Sequence, residues 1–530
     1  MNLGTPAGED SVAISATRIA VLSAKPALVA GFLALPLYLA TPTACYYWDG
    51  LAFASHIERI AQHTDNANSL FHQNHLIYNA ICYLLYSAAG WLGWSIRALT
   101  MMQMLSAVSC SIGAGIFFSM VARITRSFYI ATVASGLLVV SSCWWKAATD
   151  ADAYSVSVVL VLVCASELLR ERPRWYVGGL ALAGAMLIHE LASLFYPAAL
   201  VAVLLSKGIE GRTKFAIKLS GLGWGVTIAS YYVVAAIVFG ITKPSDVIKW
   251  AASNPYGFTV LDPVWAIRTL PQHTIDLIFG HSFKVFRQVG GGVERGLAIV
   301  GMVTACIAIY LIARRGSVRE FLRSLWEVTG NRSEEWKGIM PGLLVWIGTY
   351  VVLLLFWPYT PHYHVYYVPA LVLIFALALS RYHRGTVRPP TGGAAVAVVA
   401  LLFLNLAFFI APHMRVNSNP LLAAANDAKA KWNEHTVIYF TDWPPVDGVF
   451  RYFNEKTEWR RASPKAIKRL DPEIKEIYDH GGQVWLSDSA VKSVEPEWLA
   501  RRTGDQFTVT LDGESYRYVQ LLPRVVELQQ

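Results

Sequence analysis

Carboxylates, histidines and one lysine gather where apolar runs of this 530-residue sequence give way to polar residues. Asp49 follows Tyr46-Tyr47-Trp48, just past the first long apolar run, and Asp150 and Asp152 lie in WWKAATDADAY (144–154) with Lys146 beside them. A carboxylate held just above a bilayer can take the proton of an acceptor hydroxyl as that oxygen attacks, a contribution of ~10²–10⁴ in rate. Lys146 can meet a lipid phosphate or simply snorkel. Each acid also has a plainer reading. Aromatics mark the membrane interface, where a neighbouring acid is often only solvated. Asp150 and Asp152 precede a helix whose dipole favours acids at its start. The recurrence of acids on what is read below as one membrane face favours the chemical reading.

Histidines accompany these acids. Loop 56–79 holds His56, His63, His72 and His75, with Glu58 and Asp65 nearby. His72 and His75, three apart, would share a helical face, as metal ligands could; at a membrane mouth, hydrogen bonding or phosphate binding is the commoner use. His189-Glu190 interrupts an apolar run. A charge deep in hydrocarbon costs about 2.5–3.5 kcal/mol on insertion scales, so the pair is read as exposed to a polar cavity, with a buried, mutually satisfied pair as the alternative. WPYTPHYHVYY (357–367) adds His362 and His364 at another helix end.

The elements that must position these residues are membrane spans. The chain is 55% hydrophobic and 15% charged, with mean hydropathy +0.40, against about 25% charged in soluble proteins. Apolar segments fall at 19–45, 76–94, 97–122, 127–145, 153–169, 175–206, 215–239, 296–313, 339–357, 364–380 and 391–411. Basic clusters at Arg123/Arg126, Arg170/Arg172/Arg174, Lys207/Arg212/Lys214/Lys218, Arg314/Arg315/Arg319/Arg323 and Arg381/Arg384/Arg388 lie between them. They account for the net charge of +9 as a topology signal and speak against a nucleic-acid stripe. The six cysteines sit in or beside apolar runs without metal-ligand spacing, so no disulfide framework is expected. No convincing cleavage pattern follows the first apolar run, which reads as an uncleaved span.

Placing all five clusters in the cytoplasm fixes the parity of the spans. Run 175–206 then splits into two short spans meeting outside near His189, and 76–94 becomes a juxtamembrane or re-entrant helix. The expectation is a mainly α polytopic bundle, residues 1–412, of about eleven spans, with the N-terminus inside and outer loops 46–75 and 240–295. A small extracytoplasmic α/β domain (415–530) follows. Its strands are read at 435–443 and 482–489, and a helix at 464–480 starts at Ser463-Pro464. A hairpin turns at Asp512-Gly513, and Val437, Tyr439, Val484 and Trp485 are candidate core.

Taken together, Tyr47-Trp48-Asp49-Gly50, His72-Gln73-Asn74-His75-Leu76, the stretch from Trp145 to Tyr154, and His189 resemble the GT-C superfamily of polytopic glycosyltransferases, near its protein O-mannosyltransferase-like branch. That branch usually shows His-Pro-Pro where this chain has His72-Gln73-Asn74, and often two acids where it has Asp49 alone. The resemblance implies a sugar donor linked to polyprenyl phosphate and inverting transfer at the outer face of the plasma (inner) membrane, to a lipid, glycan or protein acceptor. In that scheme Asp49 is the general base and Asp152 the second catalytic acid. Glu58, His72, His75, Lys146, His189, His362 and His364 are candidate substrate-binding residues. No metal ligand and no cofactor is assigned, although a divalent metal is possible. A transporter or flippase of lipid-linked saccharide is the alternative, disfavoured because no repeat relates the two halves.

Overall fold

The structure, a computed structural model, describes residues 25–206, 208–253, 264, 275–280, 292–313, 318–330, 338–356, 361–385, 391–441, 445–511 and 514–523. By internal contacts the chain divides into two units. One joins the segment ending at Pro42 to His56–Pro412, and the other joins Thr43–Ser55 to His413–Gln530.

The first unit is helical. Its helices begin with α1 (Lys25–Leu39), α2 (Trp48–Ala61, shared with the second unit's segment), α3 (Tyr78–Trp91), α4 (Ala98–Thr125), α5 (Phe128–Val140), α6 (Ser142–Thr149), α7 (Tyr154–Leu168) and α8 (Trp175–Ile188). There follow α9 (Tyr196–Leu205), α10 (Arg212–Phe239), α11 (Pro244–Ala251), α12 (Gly292–Ala313), α13 (Val318–Thr329), α14 (Met340–Phe356), α15 (Val368–Gly385) and α16 (Thr391–Asn405, continuing to His413). Among the described residues four helices are long and apolar enough to cross a bilayer alone: α4, α10, α12 and α16. The other apolar helices have 10–17 residues, short of the ~20 that span hydrocarbon.

Helix α4 packs against α3, α5, α6 and α7. Small residues allow the closest of its contacts. A Cβ on Gly31 would stand 2.8 Å from the Ser111 carbonyl, and one on Gly115 would stand 2.8 Å from that of Ala27. The backbones of α1 and α4 therefore touch, a small-xxx-small crossing suited to lipid surroundings.

Two apolar runs break where polar residues fall. Run 127–145 bends by 61° between α5 and α6. Ser141 marks the bend, its hydroxyl returning to the Leu138 carbonyl (2.7 Å). Run 175–206 splits at His189 into α8, a short 3-10 stretch Glu190–Phe195 and α9. The freed backbone groups are re-used: Glu190 N–H donates to Asn74 O (3.0 Å) and Ile77 N–H to Leu187 O (3.2 Å). In a low-dielectric setting those groups must find such partners.

The two ends of the bundle differ chemically. At one end Arg123 donates to Ser166 (2.8 Å), Glu167 pairs with Arg170 and Arg174, Arg384 donates to the Thr125 carbonyl (3.2 Å), and Glu327 pairs with Arg323 and Arg381. Four of the five basic clusters are thus represented in these contacts. At the other ends of α7 and α8, some 21–23 Å away at 1.5 Å per residue, stand Asp152 and His189.

The second unit holds a five-stranded sheet with order β2-β1-β3-β5-β4. Strands β1 (Thr436–Phe440), β2 (Glu458–Arg461) and β3 (Gln483–Leu486) pair in parallel, and β4 (Thr503–Leu511) and β5 (Glu514–Leu521) close the other edge antiparallel. Alternation along the strands builds two cores. Val437, Tyr439, Val484 and Leu486 pack with Ile467, Leu470 and Ile474 on one face. Trp485 stands on the other, with Trp432, Phe450, Phe507 and Tyr518. All four residues named as candidate core are buried. The helix expected over 464–480 is instead two, Pro464–Ile467 and Asp471–Asp479. Pro472 lacks the N–H that a continuous helix needs and starts the second one instead. The turn at Asp512-Gly513 lies outside the described residues.

This polarity of the bundle predicts that Ser253→Cys and Arg172→Cys, both exposed positions in an otherwise cysteine-free chain, react with an impermeant maleimide from opposite sides of sealed vesicles. Labelling of both from one side would refute it.

Candidate functional site

Helix α6 carries Lys146 toward the polar end of the bundle. It is fixed by Trp145, whose indole donates to Thr41 (2.9 Å), and by Gln103, which donates to the Thr149 carbonyl (2.9 Å). One turn after Lys146 the helix ends at Asp150, and the ammonium bonds the Asp150 carboxylate. Asp150 is fully buried, so the pair is an internal ion pair.

Asp152 divides its work between its two oxygens. Oδ1 accepts from the N–H groups of Tyr154 (2.9 Å) and Ser155 (3.4 Å) and so caps α7. Oδ2 is buried and, among the described residues, has no hydrogen-bond partner. Burial, reinforced by the Asp150 carboxylate, raises the Asp152 carboxyl above the usual range. The capping and chemical readings of this residue therefore coexist, one on each oxygen.

Beside this centre runs one chain of five rings. His362 lies over Tyr154 (6.3 Å between centroids, 12° between planes). His189 packs against Tyr154 (4.5 Å) and His75 (4.4 Å), and His75 stacks on His72 (5.8 Å). Burial, with Lys146 beside it, lowers His362 to about 4. Burial, with His72 beside it, lowers His75 to about 3, and His72 is lowered chiefly by burial too. These imidazoles are neutral at pH 7. In two rings the tautomer follows from the backbone: Asn74 N–H donates to His72 Nδ1 (3.2 Å) and Leu191 N–H to His189 Nδ1 (3.1 Å). The ring proton must then sit on Nε2 in each, and His72 and His189 offer an N–H rather than a charge.

His72 and His75 do not share a helical face, as the spacing led one to expect. They close a tight turn in which His75 N–H donates to His72 O (3.0 Å). The bond from Asn74 N–H to the His72 ring favours that turn over a helix.

The remaining residues are placed as follows. Both oxygens of Glu58 accept from Arg97 Nε (2.9 and 3.1 Å), and Oε1 also accepts from Ala98 N–H (2.7 Å), capping α4. The His364 ring bonds the Tyr367 hydroxyl (2.6 Å). Asp49 belongs to the second unit through segment Thr43–Ser55, in the first turn of α2. Among the described residues its carboxylate has no hydrogen bond or ion pair, and burial raises it to about 6. The sequence reading undervalued Asp150 and Tyr154. The i, i+4 spacing of Lys146 and Asp150 was the available signal for the first.

Asp150, Asp152 and His362 could hold a cation, since one ligand atom from each lies within 4.8 Å of the others. Two carboxylates and a neutral imidazole suit a divalent ion. Lys146 already bonds Oδ2 of Asp150, so an ion would have to share that carboxylate with the ammonium or displace it.

Removing one partner of a buried pair costs about 3–5 kcal/mol, whereas removing both can be near neutral. Lys146→Met should therefore lower the melting temperature of the purified protein, and Lys146→Met/Asp150→Asn should recover most of the loss. Equal melting of all three proteins would show that the pair carries no such energy.

Comparison with solved structures finds the same architecture in ArnT from Cupriavidus metallidurans bound to undecaprenyl phosphate, with a TM-score of 0.54 at 12% identity over 94% of this chain and 97% of that one. The apo state of ArnT matches with a TM-score of 0.54 at 13% identity, over 96% and 98%. The mycobacterial arabinofuranosyltransferase AftD aligns with a TM-score of 0.40 at 13% identity, over 94% of this chain and 40% of that one. No protein-family description and no curated protein matches the sequence. The chain has the ArnT-like fold: a helical bundle with apolar spans and a small C-terminal sheet.

Proposed function

We propose that this protein is an integral-membrane glycosyltransferase that moves a sugar from a polyprenyl-phosphate donor to an acceptor hydroxyl, with inversion. The observation that carries the proposal is the convergence of Lys146, Asp150, Asp152, His362, His189, His75 and His72 at one end of short helices, on a fold shared with a protein seen bound to undecaprenyl phosphate. With the basic clusters in the cytoplasm, this end faces outward. In this reading the chain crosses the plasma (inner) membrane about eleven times, and its C-terminal domain lies outside. The O-mannosyltransferase-like branch is supported by the sequence motifs alone.

In this scheme Asp49 accepts the acceptor's hydroxyl proton as that oxygen bonds to the anomeric carbon. The bond from that carbon to the phosphate oxygen breaks with its electron pair, releasing polyprenyl phosphate. The departing anion gains negative charge and needs preorganised donors at the head-group level. Lys146 supplies the positive charge. The Nε2–H groups of His72 and His189 supply neutral hydrogen bonds, and His75 and His362 wall the centre. Asp152 Oδ2 is left to orient a substrate hydroxyl.

Asp49→Asn keeps the shape of the side chain and removes the base, so turnover should fall by about 10²–10⁴ while folding survives. Because the carboxyl titrates near 6 and acts only when deprotonated, wild-type kcat/KM should rise as pH passes 6 and then level off. The measurement is transfer from a polyprenyl-phosphate donor in detergent, against pH and donor concentration. Near wild-type turnover by Asp49→Asn would move the base to Asp152.

A further inference from the structure

Residues 189 and 190 face different surroundings. His189 packs into the Asp152 centre against Tyr154 and His75. Glu190 lines a separate pocket of about 430 Å³ between α8, the 3-10 stretch after it, α10 and α11. That volume is within the ~300–1,000 Å³ of small-molecule sites. Trp224, Tyr231 and Tyr232 line it together with Ser193 and Thr227. The Tyr231 hydroxyl is tied to the Gln73 carbonyl and that of Tyr232 to the Thr242 carbonyl (2.7 Å). Thr227 is likewise spent on the Gly223 carbonyl (2.8 Å). Glu190 is different: among the described residues its carboxylate has neither a hydrogen bond nor an ion pair.

We infer that this pocket is a subsite for a saccharide ring of the acceptor, with Glu190 accepting hydrogen bonds from its hydroxyls and the aromatic side chains packing against its C–H face. The inference rests on the glycosyl-transfer reading above. Two physical points carry it. A purely hydrocarbon occupant would strip water from an unpaired carboxylate and return nothing for it, so the ligand must bring hydrogen-bond donors. The apolar and aromatic walls exclude a fully hydrated ion, so it must also bring an apolar face. A sugar ring has both. The donor's sugar is tied through its phosphate to the Lys146 centre, on the His189 side of the step. The pocket on the Glu190 side is thereby left for the other substrate. The two sides are linked mechanically: Gln73, next to His72, donates to Ser253 (2.9 Å) after α11 and accepts from Tyr231 of α10.

The test is binding by the full-length protein in lipid nanodiscs, read by saturation-transfer NMR. The probes are a panel of methyl pentosides and hexosides and, separately, a polyprenyl phosphate. At least one glycoside should bind saturably. Glu190→Gln should weaken it about tenfold, the difference between a charged and a neutral acceptor, with polyprenyl-phosphate affinity unchanged within twofold. Lys146→Met should show the opposite pattern. Trp224→Leu is the second variant should Glu190→Gln fail to fold, and should weaken the same glycoside. A loss of polyprenyl-phosphate affinity in Glu190→Gln would assign the pocket to the donor and overturn the inference. So would the absence of any glycoside binding that depends on Glu190 or Trp224. Glycoside binding without sugar transfer would instead sustain the subsite and sink the transferase reading.

Discussion

Asp150 and Asp152 are two residues apart and both buried, and much of the surrounding structure follows from making that tolerable. Two carboxylates taken out of water lose hydration worth several kcal/mol each and repel one another. Lys146 answers the first, one helical turn back, and the opening N–H groups of α7 answer half of the second. For Lys146 to stand there, α6 must leave the line of α5. The 61° bend, the anchoring of Trp145 on Thr41 and the end of α6 at Asp150 are parts of one solution. One oxygen, Asp152 Oδ2, is left without a hydrogen-bond partner among the described residues.

Short helices put that centre at a useful depth. α7 has 15 residues and α8 has 14, ~21–23 Å of helix against ~30 Å of hydrocarbon. Their basic ends are fixed by Arg123, Arg170 and Arg174, so the opposite ends stop below the far head groups unless the bilayer thins there. In the proposed transfer, a lipid-borne phosphate would reach Lys146 without leaving its tail in water. The break at His189 serves the same purpose, reversing the chain early and turning one side chain to each of two surroundings.

Features set by length, charge and hydropathy were legible in the sequence. The run 175–206 was too long for one span and carried His189-Glu190 in its middle, which gave away its break. The basic clusters announced a shared end, and the unbroken β-branched and aromatic run TVIYF gave β1, buried along its whole length. Features set by a single hydrogen bond were not legible. Run 127–145 carries Ser127, Ser135, Ser141 and Ser142 in one apolar segment, and hydropathy does not say which of them turns the chain. The spacing of His72 and His75 fits a helix as well as a turn, and only the bond from Asn74 N–H to the His72 ring decides. Grouping of Thr43–Ser55 with the second unit depends on contacts such as Ala44 N–H to His413 O (2.7 Å), between residues far apart in sequence. Glu58 looked available because its partner Arg97 lies 39 residues on.

The division of labour among the basic side chains follows from the same shortage of water. A second full cation beside Lys146 would be repelled, and burial drives His362 and His75 toward the neutral form. Neutral rings are still useful if their protons point the right way. In His72 and His189 a backbone N–H occupies Nδ1, which leaves Nε2–H as the donor whatever the pH above the ring's lowered range. A centre with one ammonium and several fixed neutral donors can bind a phosphate monoanion, as in a glycosyl donor, and hold the dianion that departs more strongly. Several fixed cations would bind both tightly. That difference lies in the direction the proposed transfer requires, because only interactions that strengthen along the reaction path accelerate it.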